Sequence, residues 1–269
     1  MSFSIAGKTA IVTGAANGVG LAIARHFTSR GANVMFADMD ETRLVDEIGQ
    51  EAEKEENVSY FAGDLRERLT IANLLSATLD AFERVDILVN ASRQMMPSDP
   101  LNPDDDAVEQ LLQQNLFPSL RLSQCVAKRM IKQAEADGQE EGSVGAIINL
   151  SSIAARRAHP ELLAYSVSCA ALDQMTRSLA VALAPERIRV NAVAFGSVLS
   201  ASLKSTLKEH SDYRADIKDH TPLSRIAKAS EVAEAVQFLA SEGSSFMTGQ
   251  IMTVDGGRTL LDPVNSPAH

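Results

Sequence analysis

Apolar positions along the chain switch between two periods, and the switching follows the βαβ pattern of a parallel sheet. Compact apolar runs at Lys8–Thr13, Asn33–Asp38, Val58–Ala62, Asp86–Asn90, Val144–Leu150, Ile188–Ala194 and Ile251–Val254 predict seven strands. The run Asp86–Asn90 (DILVN) is nearly all apolar, as a strand covered on both faces requires. Helical spacing predicts helices over Val19–Arg30, Asp40–Glu55, Arg66–Glu83, about Pro103–Ala136, Leu162–Ala184 and Ser230–Ala240, the last opened by a Ser230 cap. Ser197–Ala229 reads as polar and irregular with short helical pieces, and the tail Asp262–His269 as loose. No composition break and no internal repeat divides the chain. The expected architecture is α/β: a Rossmann-type, doubly wound parallel sheet of about seven strands with helices on both faces, in a single domain over residues 1–269.

Composition narrows the partners. Hydrophobic residues make up 45% of the 269, enough for a large core. A formal net charge of -10 and the lack of any Trp argue against nucleic acid, whose phosphates an acidic surface repels. Leu162–Ala184 is broken by Asp173, Gln174 and Arg177, so it reads as a buried helix and not a membrane span. Met1–Ala10 has no signal-peptide pattern, and Cys125 and Cys169 sit in apolar helical settings as reduced thiols. These features predict a soluble cytoplasmic protein. The five histidines are scattered without ligand spacing, so no metal is expected.

The chemistry begins at Thr13–Gly20 (TGAANGVG), between the first strand and the first helix. Gly14 allows a tight turn, and Gly18 and Gly20 let backbone approach a pyrophosphate at a helix N-terminus. The spacing is G-x3-G-x-G and not G-x-G-x-x-G, so an ordinary glycine-rich turn is the competing reading. Asp38 ends the second strand, where a carboxylate accepts both ribose hydroxyls of an adenosine and repels a 2′-phosphate. No Arg or Lys in the glycine loop or in Met39–Glu41 offsets that charge, which favours NAD(H) over NADP(H). Asp40 is placed to cap the following helix, leaving Asp38 for the sugar.

Thr13–Gly20, Asp38, Gly63-Asp64-Leu65, Asp86–Asn90, Asn115, Ser151-Ser152, Tyr165 and Gly249–Gly257 together resemble the short-chain dehydrogenases/reductases, over roughly residues 5–258. The resemblance implies a seven-stranded Rossmann sheet, assembly as a dimer or tetramer, and hydride transfer between a nicotinamide and a small secondary alcohol or ketone. It implies Tyr165 as the proton-transfer group, Ser152 as the hydroxyl orienting the substrate oxygen, and Asn115 as holder of a helix kink and a relay water. It implies cofactor contacts at Gly14, Asn17, Gly18, Val19, Gly20, Asp38, Met39, Asp64, Leu65, Asn90, Ala91, Tyr165, Gly196 and Val198, with a substrate lid over about 197–229. Met95, Met96, Phe195, Leu199, Leu203 and Leu207 hint at an apolar substrate pocket. Blander roles remain open: Asp64 or Ser152 as helix caps, Tyr165 as an interface residue, Asn115 as an ordinary helix position.

Three positions depart from the family pattern. Cys169 stands where the resemblance leads one to expect a lysine, four residues after Tyr165 and on the same helix face. A cation at about 4 Å and an effective dielectric of about 20 contributes about 4 kcal/mol, or about three units of phenol pKa. Its loss lowers the ionised fraction by up to about a thousandfold. Asn90-Ala91-Ser92-Arg93 carries an Arg where the family has Gly, either with a different local backbone or with Arg93 turned into the pocket as a charge. Phe195-Gly196 lacks the family's proline, which predicts a looser approach to the lid. Arg156 and Arg157 are two further candidates for a replacement cation, or else surface charge. Two functions follow: an NAD(H)-dependent oxidoreductase impaired by the missing lysine, or a weak or inactive NAD(H)-binding protein serving as a sensor or non-catalytic oligomer partner.

Overall fold

The computed structural model describes residues 2–210 and 212–262. The tail expected to be loose lies, from residue 263 on, outside the described residues. Seven strands, β1 (Thr9–Thr13), β2 (Asn33–Asp38), β3 (Val58–Ala62), β4 (Ile87–Asn90), β5 (Gly145–Ser152), β6 (Ile188–Phe195) and β7 (Ile251–Val254), form one sheet in the order β3-β2-β1-β4-β5-β6-β7. Every pairing is parallel. The order reverses beside β1, so the carboxyl ends of β1 and β4 diverge into a crevice at the sheet's switch point.

Helices cover both faces: α1 (Gly18–Ser29), α2 (Glu41–Ala52) and α9 (Ala229–Ala240) on one, α3 (Arg68–Phe82), α5 (Phe117–Ala136) and α6 (Leu163–Leu183) on the other. Two short helices, α7 (Ala201–Glu209) and α8 (Tyr213–Asp219), lie between β6 and α9. Strand side chains alternate between the layers, as period two demands: Ala10, Val12, Val34 and Phe36 pack with α1, whereas Ile11 and Met35 pack with α3 and α5. Among the described residues no helix is long and apolar enough to cross a membrane.

Most element ends shift by a few residues from the sequence-based expectation, β5 running on to Ser152, and three differences change the local structure. The helix expected from Pro103 starts at Ala107 (α4, Ala107–Leu111) and passes through a π-helical turn at Leu112–Leu116 before α5. Pro118 has no N–H to offer the carbonyl of Gln114, so the ladder slips by one residue; Phe117 N–H donates to Leu112 O, five back. Helix α9 is not capped by Ser230, which lies inside it; its N-cap is Lys228, whose N–H donates to the Glu231 carboxylate at 2.8 Å. Strand β6 runs one residue further than expected, to Phe195, which pairs with Ser152 and Val254. Phe195 is buried and paired on both sides, so the chain is held to the sheet up to Gly196 although the family's proline is missing.

Candidate active site

The glycine loop follows directly from its backbone demands. Gly14 and Gly18 sit at φ of 66° and 60°, which side-chain-bearing residues rarely adopt. A Cβ on Gly20 would lie 2.1 Å from Gly14 O, and one on Gly14 would lie 2.8 Å from the Ser92 backbone. Helix α1 therefore closes onto its own loop, and the loop closes onto the segment after β4. No side chain caps α1 and no acidic residue sits in its first turn, whereas α2 is capped by Asp40, whose carboxylate accepts from Arg43 N–H at 3.1 Å. The first N–H groups of α1 thus face the crevice with the positive end of the helix dipole, a cradle that fits a diphosphate. Asp40 caps as expected, but Asp38 is not wholly free: its carboxylate accepts Ala16 N–H at 3.0 Å and Asp40 N–H at 3.1 Å. Each oxygen keeps a second lone pair, so the carboxylate remains an acceptor beside the loop.

The remaining candidate contacts lie along the same edge. Asn17 and Met39 are exposed, and Gly18 and Val19 are half-buried. Asp64 accepts from Arg66 N–H at 2.9 Å and pairs with the Arg66 guanidinium, which holds its carboxyl below the ordinary range; Leu65 beside it is buried. Asp64 thus closes a turn ahead of α3, whose N-cap is Glu67, and does not cap the helix itself. Asn90 is buried, its amide donating to Ser123 Oγ at 3.0 Å and Asn149 Oδ1 at 2.8 Å, so it locks β4 to β5. Ala91 N–H donates to Thr13 Oγ1 at 3.0 Å. Gly196 follows β6 directly, and the buried Val198 bridges Ala227, tying the two ends of the 197–229 segment together.

Tyr165, Ser152 and Cys169 come together at the carboxyl ends of β4, β5 and β6, where Tyr165 and Cys169 border one small cavity with Arg93 and Asn115 and the Ser152 hydroxyl hydrogen-bonds the phenol. Burial pushes the Tyr165 phenol up from its ordinary value; the Arg93 guanidinium and the neighbouring Ser152 hydroxyl oppose that shift, and Cys169 adds to it. The Cys169 thiol is itself pushed up by burial, so it is a neutral apolar neighbour. Ser152 also accepts from Ala154 N–H at 3.2 Å, so it caps the turn after β5 while facing the phenol. Asn115 sits in the π-helical turn with its amide hydrogen-bonded through both atoms: Oδ1 accepts Gln94 N–H at 2.8 Å, and Nδ2 donates to Gln94 O at 2.9 Å and Ser168 Oγ at 3.2 Å. The amide thus fastens the segment after β4 to this turn.

Of the two readings open for Arg93, the structure takes the second. Its side chain turns into the pocket, with Cζ 4.1 Å from the Phe195 ring centroid and 5.9 Å from that of Tyr165. Arg156 and Arg157 do not reach the phenol: both are exposed, Arg156 donating to Thr253 and Ile251 on β7 and Arg157 to Thr259 O. The sequence signal for Arg93 was a bulky residue in a glycine position; nothing in the sequence said that Phe195 would receive it. Met96 packs in the cluster with Tyr165, whereas Met95 is exposed, so the expected apolar set is not gathered in one place.

Residues 14–259 match the family model described as enoyl-(acyl carrier protein) reductase. The chain belongs to the short-chain dehydrogenases/reductases. It is 33% identical over 269 residues to cis-4-hydroxycyclohexanecarboxylate dehydrogenase of Sinomonas cyclohexanicum, covering 97% of this chain and 100% of that one. It is 32% identical to 7α-hydroxysteroid dehydrogenase of Escherichia coli K12, over 93% of this chain and 94% of the relative. Among solved structures, a 7α-hydroxysteroid dehydrogenase complexed with NADH and 7-oxo glycochenodeoxycholic acid superposes with a TM-score of 0.83 at 31% identity, covering 95% of this chain and 96% of that one. A gluconate 5-dehydrogenase of Burkholderia cenocepacia, complexed with NADP and tartrate, gives 0.85 at 26% identity, with coverage of 97% and 98%. This short-chain dehydrogenase/reductase thus has relatives solved with either nicotinamide dinucleotide.

Proposed function

We infer that the protein is an NAD(H)-dependent oxidoreductase acting on a small secondary alcohol or ketone. The carrying observation is the buried Tyr165 phenol beside the Ser152 hydroxyl, at the strand ends next to an uncapped, glycine-cradled helix N-terminus. When bound, the dinucleotide supplies or accepts the hydride. Gly14, Asn17, Gly18, Val19 and Gly20 bind its diphosphate through backbone; Asp38 and Met39 take the adenosine ribose; Asp64 and Leu65 take the adenine. Asn90, Ala91, Gly196 and Val198 border the nicotinamide half. Ser152 orients the substrate oxygen by hydrogen bonding, and Tyr165 gives that oxygen a proton in reduction or takes it in oxidation. Asn115 holds the site's floor. Asp38, with no basic side chain in the glycine loop, favours NAD(H) over NADP(H) through repulsion of a 2′-phosphate.

Residues 1–269 act as one domain with a lid over about 197–229, in a cytoplasmic homo-oligomer, dimer or tetramer. Oxidation of NADH with a panel of small ketones tests the activity: turnover that Tyr165→Phe abolishes supports it, and turnover indifferent to that substitution refutes the role of Tyr165. The second reading, a weak or inactive dinucleotide-binding protein, is favoured by one observation: burial raises the phenol while Cys169, on the same face of α6, offers no charge against it. Cys169→Lys discriminates, since a gain of orders of magnitude from a nearly inert parent marks a decayed site.

A further inference from the structure

We propose that Arg93 is the cation that sets the acidity of Tyr165, delivered from the segment after β4 and not from α6. The proposal rests on the reading of Tyr165 as the proton-transfer group. A buried phenol resists ionisation, because the phenolate loses its hydration. Only an uncompensated positive charge or added hydrogen bonds restore it. The guanidinium of Arg93 lies 5.9 Å from the Tyr165 ring centroid. Nη1 donates to Ser151 O at 3.1 Å at the end of β5, and the planar group rests on the Phe195 ring at 4.1 Å. Two anchors thus fix its plane and leave its other N–H groups turned away from Ser151.

The backbone that carries it is clamped on both sides. Thr13 Oγ1 accepts Ala91 N–H and Ser92 N–H, each at 3.0 Å, and Asn115 exchanges two hydrogen bonds with the Gln94 backbone, at 2.8 and 2.9 Å. Arg93 lies between these clamps, so its direction is set by β1 and by the π-helical turn. Its charge is also unneutralised: among the described residues no carboxylate comes within salt-bridge distance of it. The other groups facing Tyr165 carry no competing charge. On α6 the neighbour is the neutral Cys169 thiol; α4 presents Ala107, Val108 and Leu111; the turn after β5 presents Ala154, Ala155 and the Ser152 hydroxyl. The Asp173 carboxylate, one turn beyond Cys169, acts on that thiol, and Arg156 and Arg177 face Asp173. Arg93 is a positioning residue: it works through the phenol, steadying the negative oxygen left when Tyr165 gives up its proton.

The chain has three tyrosines and no Trp, so the phenolate absorbance of Tyr165 is isolated by subtracting the Tyr165→Phe spectrum. That titration needs neither dinucleotide nor substrate. Arg93→Gln raises the Tyr165 midpoint by about one to two pH units, while Arg93→Lys keeps most of the wild-type value. The pH limb of kcat moves by the same amount. Adding Cys169→Lys to Arg93→Gln brings the midpoint back down, because a cation on α6 does the same work. If Arg93→Gln does not fold, Arg93→Met, which keeps the bulk over Phe195, takes its place. A midpoint unmoved in the uncharged variant overturns the proposal. So does a rise confined to KM for carboxylate-bearing substrates with the midpoint unmoved, which makes Arg93 a substrate anchor. A midpoint that shifts in a protein with no turnover on any carbonyl sustains the tuning and sinks the oxidoreductase reading instead.

Discussion

The two ends of the crevice are built on different principles. Around β1 and α1 the geometry belongs to the backbone: at Gly14 and Gly20 an added Cβ collides with main-chain atoms, and Gly18 holds a positive φ. Around Tyr165 the geometry belongs to side chains from segments far apart in sequence: Arg93, Asn115 and Cys169 border one cavity with Tyr165, Ser152 hydrogen-bonds the phenol, and Phe195 carries the Arg93 guanidinium. A backbone site tolerates no change at its glycines and much change elsewhere. A side-chain site can lose one member and recruit another from a different strand end, provided the charge arrives at a similar distance.

The sharpest way to break the backbone end is Gly20→Val. Its Cβ falls 2.1 Å from Gly14 O, so we expect a loss of at least about 3 kcal/mol of stability, or the equivalent hundredfold loss of NADH affinity if the loop refolds. Chemical denaturation and calorimetric titration together read both. A Gly20 variant with wild-type stability and affinity would show that the loop is not the cradle. At the other end, Tyr165→Phe keeps the ring and its packing, and turnover is expected to fall by about 10²–10⁴ with little change in melting temperature. The comparison fails if the fold suffers more than the rate.

Smaller effects separate the two ends further. Asp38→Asn removes a charge while its remaining oxygen still accepts from backbone, so NADH affinity falls by about tenfold and the gap to NADPH narrows. An unchanged preference between the two dinucleotides places the selectivity elsewhere. The least effect is in pH dependence. Tyr165 and Cys169 have folded values raised above their ordinary 10.0 and 9.0 by burial. Raised acids favour the protonated form in the fold, so their contribution is full below the ordinary values and is lost as pH rises through the elevated ones. Melting temperature is therefore expected to decline on the alkaline side more steeply in the wild type than in Cys169→Ala; a steeper decline in the variant contradicts the burial argument.

Much of this was legible in the amino-acid order. Strands β2, β3 and β7 have the expected limits to the residue, because continuous apolar runs bounded by polar ends have few other homes in a doubly wound sheet. The glycine loop was legible for the same reason that it is intolerant: its constraint is local. The π-helical turn was not read, although Pro118 announced it, since a proline in a helical pattern leaves open whether the helix ends, bends or slips by one residue. The Ser230 cap failed because the Glu231 carboxylate satisfied the N-cap N–H from inside the helix.

By itself the sequence determined the sheet, its crossovers, the cradle at Gly14–Gly20 and the absence of a charged residue at position 169. Periodicity and glycine spacing act over a few residues, and no distant partner alters them. Tertiary structure alone decided which cation faces Tyr165. Arg93, in a glycine position, and the pair Arg156 and Arg157 all stood open in the sequence as replacement cations. The register of Ser152 against Phe195 and the backbone hydrogen bonds accepted by Thr13 and Asn115 aim one of them inward, and β7 and the turn after it draw the other two away. An electrostatic effect depends on the distance and direction between groups scores of residues apart, and that quantity exists only once the chain has folded.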